Sequence, residues 1–185
     1  MPVNTPKEKL PPEAVRSLEA SSIFVPSKVE ILLAALEEKP AALLEVPAKP
    51  GYDPEEYLQL VGALGLWSSR IPMGSVGTIL TISRSEESLV ALNDAFQDYD
   101  EQGMGAAFGY PPTATEAFIQ GRGISARSLE DADPEAVAFI SYKVSPENAA
   151  TEIAVAKRWA RAVESVCPTI HSDMLHLSRV YHGSE

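Results

Sequence analysis

The sequence predicts a single α+β domain, a mixed sheet of about four strands with helices packed over it. Two observations lead there. Helix-start signals recur along the chain, each followed by apolar residues at helical spacing, and short β-rich runs fall between them. At 185 residues the chain is long enough for one sizeable core and too short to make two ordinary domains the default. The domain is expected over residues 11–185.

Residues 1–10 carry Pro2, Pro6, Lys7, Glu8 and Lys9 without an apolar period, and read as a flexible tail. Order begins near Pro11. Ser27 with Glu30, Asp53 with Glu56 and Thr113 with Glu116 each match the capping-box spacing. In that motif the cap side chain accepts from the third helical amide and the acid reaches back to the cap amide. Asp53 and Ser145 each precede a proline, whose missing amide proton costs nothing at the first helical position. Val29, Leu32, Leu33 and Leu36 then share one helical face, as do Leu89, Leu92, Phe96 and Tyr99 after Ser85. The longest helix is expected from Pro146 to Val166. Ala149, Ile153, Ala156, Ala160, Val163 and Cys167 form its apolar seam, which Val155, Trp159, Ala162 and Val166 widen into a core-facing stripe.

Strands are expected at 41–46, 66–71, 77–83 and 136–144. The linker PMGSVG between the second and third is too short for a helical crossover, so these two should pair antiparallel. The fourth is apolar at nearly every position from Ala136 to Ile140, which suits a central strand buried on both faces. The remaining strand links contain helices, hence the mixed sheet.

Composition narrows the function classes. Hydrophobic content of 45% with 22% charged residues is that of a soluble globular protein. A net charge of -11 has the wrong sign for a general nucleic-acid binder. The acid-rich, base-free stretch from Glu86 to Glu101 reads as a solvated helix face. One cysteine permits no internal disulfide, the start lacks the apolar core of a signal peptide, and no apolar run approaches the length of a membrane span. The expectation is an acidic cytoplasmic protein with no membrane and no nucleic-acid partner.

The least generic stretch is GMGAAFGYPPTATEAF at 103–118. Gly103, Gly105 and Gly109 do not make a dinucleotide fingerprint, because the third glycine would fall at Phe108 and a helix, not a strand, is expected before it. The segment reads instead as a chain reversal: Gly109 takes a positive φ, Tyr110 is held extended by Pro111, and Thr113 caps the next helix. A helix start also attracts anions, and Tyr110 could supply a hydroxyl there. Tyr110, Thr113, Glu116 and Arg122 are therefore the candidate ligand-binding residues. Arg122, beyond that helix, suits terminal carbonyls at least as well.

GYPPTATEAF resembles the Gly-Tyr-Pro-x-Cys-Cys-x-x-x-Phe block of a family of small archaeal and bacterial proteins. The likeness covers ten residues, with looser agreement in the segment after Ala136. The family's paired cysteines fall here on Thr113 and Ala114, so no metal or redox role passes to this chain. The resemblance implies no particular activity.

Other constellations weaken on inspection. DYDEQG at 98–103 imitates the opening of a calcium loop, but the twelfth position is Gly109 where a bidentate Glu is required. On one helix His171 and His176 would stand roughly 140° apart, so no metal and no cofactor are expected. Cys167 is the one candidate nucleophile, with His171 four residues on. A helix starting at Pro168 would place its sulfur at a positive dipole end. Against that, Cys167 continues the buried seam of the long helix. No G-x-S-x-G, H-E-x-x-H or H-R-D pattern occurs.

Two functions stay open on these grounds. One is a non-catalytic binding or interaction module that uses residues 103–122 to contact a small molecule or a protein. The other is an enzyme on a small metabolite with a dispersed site, built on Cys167 and His171 or on Tyr110 and Glu116.

Overall fold

The structure, a computed structural model, describes residues 10–129 and 132–182. Among them the chain runs α1 (Pro12–Ala20), α2 (Val25–Ala35), β1 (Ala41–Pro47), α3 (Pro54–Ala63), β2 (Trp67–Pro72), β3 (Gly77–Ser83), α4 (Glu86–Gln97), α5 (Glu101–Ala107) and α6 (Pro112–Ile119). It continues through α7 (Pro134–Phe139), α8 (Ala149–Val166) and α9 (Pro168–His182). The class is α+β. None of the described helices is long and apolar enough to cross a membrane.

The sheet departs from expectation in two ways. It has three strands in the order β1-β3-β2, and every hydrogen-bonded pair is antiparallel. The expected β2–β3 hairpin forms, with Trp67 opposite Ser83. Being both antiparallel to β3, β1 and β2 run parallel to each other, as a helix-containing link allows. Because β3 inserts between them, a mixed sheet does not result.

The fourth strand, expected at 136–144 as the central one, is absent. Residues 134–139 form α7 instead, because Asp133 accepts from the Glu135 amide at 2.9 Å and Pro134 opens the helix. Ala136, Ala138 and Phe139 are buried. A short apolar run fits a buried helical turn as well as a buried strand, and periodicity does not separate them. Only Val144 keeps a β contact, an antiparallel bridge to Ile124.

Caps sort by their position relative to proline. Asp53 precedes Pro54 and accepts from the Glu55 amide at 2.9 Å, so it caps α3. Glu56 does not complete that capping box; its carboxylate accepts from the Ser22 amide at 3.3 Å. Ser27 and Thr113 follow their prolines and so fall inside α2 and α6, whose cap positions are Phe24 and Pro111. Neither of those two expected caps forms: proline fixes φ for the first turn and moves the start upstream. Ser85 caps α4, accepting from the Ser88 amide at 3.1 Å. The long helix starts at Ala149 and not Pro146; Ser145 Oγ accepts from the Asn148 amide and closes the preceding turn.

The sheet carries different layers on its two faces. Side chains alternate along a strand, so Ala42, Leu44 and Val46 join Leu80 and Ile82 on one face. There they share a core with Leu32 of α2, Val61 of α3, and Ala156, Trp159 and Val163 of α8. On the other face Ala41 meets Leu92 of α4 and Ala107 of α5 in a smaller cluster. Thr81 donates to Asn93 Oδ1 at 2.7 Å on that same side. Leu92 and Leu89 are buried as expected, whereas Tyr99 lies beyond α4 at φ 55 and is exposed. Leu10, assigned to the tail, is buried in the main core; residues 1–9 lie outside the described residues.

Candidate ligand-binding site

The 103–118 stretch is two short helices and a turn. Asp100 caps α5 by accepting from the Gln102 amide at 3.1 Å, so this acid of the imitation calcium loop has a local task. Gly105 sits where α5 crosses α6, and a Cβ there would collide with the side chain of Thr115. Its smallness sets the approach of two helices. Gly109 adopts φ 68, the left-handed conformation expected of it, and lies against Lys39 and Pro40.

This reversal forms one wall of a pocket of about 600 Å³. Met104, Phe108, Tyr110 and Phe118 line that wall, and Val137, Ile140 and Tyr142 face them from the segment once expected to be a strand. Arg127, Lys143 and Glu101 also line it, and all three are exposed. Neither Arg127 nor Lys143 forms an ion pair with a described residue, so two cations are available to a ligand. The site is apolar inside and charged at its margin, the usual chemistry of a small-molecule pocket.

From the pocket lining inward to the core the rings of Phe108, Tyr110, Tyr142 and Trp159 form a ladder, with successive centroids 5.4, 5.0 and 5.9 Å apart. The buried ammonium of Lys39 stands 4.5 Å from the Trp159 ring centroid and 5.6 Å from that of Tyr110. It donates to both carboxylate oxygens of Glu30 at 2.7 and 2.8 Å and to Ser141 Oγ at 3.1 Å. Pairing of this quality is what a buried ammonium requires, since desolvating it alone costs several kcal/mol. Glu30, expected in a capping box, holds this lysine instead. Tyr110 donates to the Ser141 carbonyl at 3.2 Å. Burial is the main reason its phenol is pushed up to about 12, with the charge of Glu30 adding to the effect. The Tyr142 phenol is raised too, first by burial and then by the charge of Glu152.

Glu152, fully buried on α8, fastens the two walls together. Thr113 donates to its Oε1 at 2.5 Å and the Ser145 amide to its Oε2 at 2.7 Å, while Tyr142 donates to its main-chain carbonyl at 2.7 Å. Charge-assisted bonds of this kind are roughly twice as strong as neutral ones. An acid at helical spacing with Ala156, Trp159 and Val163 was a readable sign of a buried carboxylate. Nothing in the local sequence of Lys39, Ser141 or Ile140 announces a role.

The candidate ligand-binding residues disperse. Tyr110 lines the pocket. Thr113 turns to Glu152, and Glu116 accepts from Gln120 Nε2 at 2.9 Å on the exposed side of α6. Arg122 binds Gln120 Oε1 at 2.6 and 2.9 Å and pairs with Glu147 at 3.0 Å, away from the pocket lining. Tyr110 and Glu116 are therefore not brought together as a catalytic pair. Cys167 is buried at the α8–α9 junction, 4% exposed. The His171 ring turns to Glu135, with Nε2 3.0 Å from Oε1, and the structure gives it no bond to the thiol. Comparison with protein-family models, with curated proteins and with solved structures finds no match to this chain. The Gly-Tyr-Pro resemblance rests on its ten residues.

Proposed function

We propose that this protein is a non-catalytic binding module whose ligand is a small molecule with an apolar, ring-sized body and an anionic group. One observation carries the reading: the segment singled out in the sequence and residues 137–143, distant in the chain, converge on an apolar pocket edged by Arg127 and Lys143, neither of which is ion-paired with a described residue. Met104, Phe118, Val137 and Ile140 would take the body. Lys143 and Arg127 would take the charge, their two positive charges outweighing the single negative charge of Glu101 at the same margin.

A thermal-shift screen comparing aromatic and branched aliphatic carboxylates with their uncharged counterparts tests this. A ligand at a hundred times its Kd stabilises by about 2.7 kcal/mol, which for a chain of this size is roughly 5–10 °C. Phe118 is 53% exposed, so Phe118→Ala should spare the fold while removing most of that shift. Lys143→Ala should erase the preference for carboxylates, and Arg122→Ala should change nothing. A screen in which no compound raises the melting temperature, or a shift that survives Phe118→Ala, ends the proposal.

A further inference from the structure

We propose that Glu135, Glu164 and His171 bind one divalent first-row transition-metal ion, at a place separate from the pocket above. The three residues come from α7, α8 and α9, and one ligand atom of each lies within 4.8 Å of the others. Ligands held about 2.1 Å from a metal are roughly 3.4 Å apart in a tetrahedral shell and roughly 3.0 Å apart as octahedral neighbours. His171 Nε2 and Glu135 Oε1 already stand at 3.0 Å. The imidazole is buried and stacked on Phe139, with ring centroids 5.4 Å apart, so its direction is fixed before any ion arrives. Glu164 is exposed and has no ion pair among the described residues, which leaves its carboxylate able to swing in.

Local structure explains the convergence. The cap at Asp133 starts α7 so that Glu135 lies in its first turn. The break at Cys167 and Pro168 turns the chain back, so that Glu164 before it and His171 after it face the same spot. Lys157 pairs with Asp133 at 2.8 Å, and among the described residues Glu135 pairs with His171. With a neutral imidazole the group carries two negative charges, which a dication neutralises. Two carboxylates and one imidazole suit zinc, iron(II), cobalt(II) or manganese(II) better than calcium, which takes oxygen alone, or copper(I), which wants thiolate. Glu135 also lines a groove of about 650 Å³ together with Arg127 and Arg179, through which water can complete the coordination shell.

The test is titration of the full chain, stripped with a chelator, with Zn²⁺ by calorimetry and with Co²⁺ by visible absorption, alongside melting temperature. The expected result is one ion per chain, a stabilised fold and a cobalt spectrum that excess zinc abolishes. Loss of a residue that merely orients a metal ligand already weakens binding by about 10–100-fold, so Glu164→Gln should weaken zinc by at least about tenfold. That position is exposed and the variant should fold; Glu135→Gln gives a second reading. His176→Ala, on the exposed side of α9, should leave affinity unchanged. The proposal is overturned if no binding appears up to about 1 mM zinc, if Glu164→Gln binds as the parent does, or if His176→Ala removes the site.

Discussion

Replacing Thr113 distinguishes a helix cap from a long-range tether, because the two roles respond oppositely to the same substitution. Thr113 Oγ1 donates at 2.5 Å to a fully buried carboxylate 39 positions away. A hydrogen bond to a charged group is worth about 1.5–3 kcal/mol. Thr113→Val should therefore cost about 2 kcal/mol, which for a chain of this length is a fall in melting temperature of roughly 4–8 °C. Thr113→Asp decides the matter. At a cap position Asp equals or exceeds Thr, so a capping role predicts parent-like stability. Against Glu152 a second carboxylate at about 4 Å adds as much as ~4 kcal/mol of repulsion at an effective dielectric near 20, so the tether predicts a variant worse than Val. Chemical denaturation of the parent, Thr113→Val, Thr113→Ser and Thr113→Asp supplies the numbers, and Ser should retain most of the stability. If Thr113→Asp is as stable as the parent, the Thr113–Glu152 bond does not hold the pocket walls together.

Two further outcomes follow from the same region. Gly105→Ala should destabilise by about 1–3 kcal/mol through its collision with Thr115 and should weaken any pocket ligand; a neutral effect in denaturation would mean that α5 and α6 can separate at no cost. Tyr110, with its phenol raised to about 12, favours the neutral form in the folded state. Its stabilisation is complete below the unfolded value near 10 and is lost as pH climbs towards 12. Melting curves between those limits should fall less steeply for Tyr110→Phe than for the parent, and superimposable pH profiles would contradict the buried phenol.

The sequence by itself determined the features written in a few consecutive residues. Asp53 before Pro54, Ser85 at the head of α4, Gly109 in its left-handed turn and the β2–β3 hairpin each depend on hydrogen bonds or backbone angles within a handful of positions. Spacing encodes such terms directly. Where one local rule competes with another, proline prevails: Ser27 and Thr113 have capping-box partners, yet the prolines before them set the helix start.

Only the tertiary structure decided what depends on neighbours far away in the chain. Whether Ala136–Ile140 became strand or helix turned on what surrounds it, because an apolar run buries equally well in either form. The insertion of β3 between β1 and β2 is a packing outcome that no linker length specifies. The side-chain partners were hidden for the same reason. Lys39 finds Ser141 across 102 positions, and His171 finds Glu135 across 36 rather than the neighbouring thiol. A polar group buried by the fold must take whichever complementary group the packing places beside it, and that choice is made by geometry in three dimensions, not by spacing along the chain.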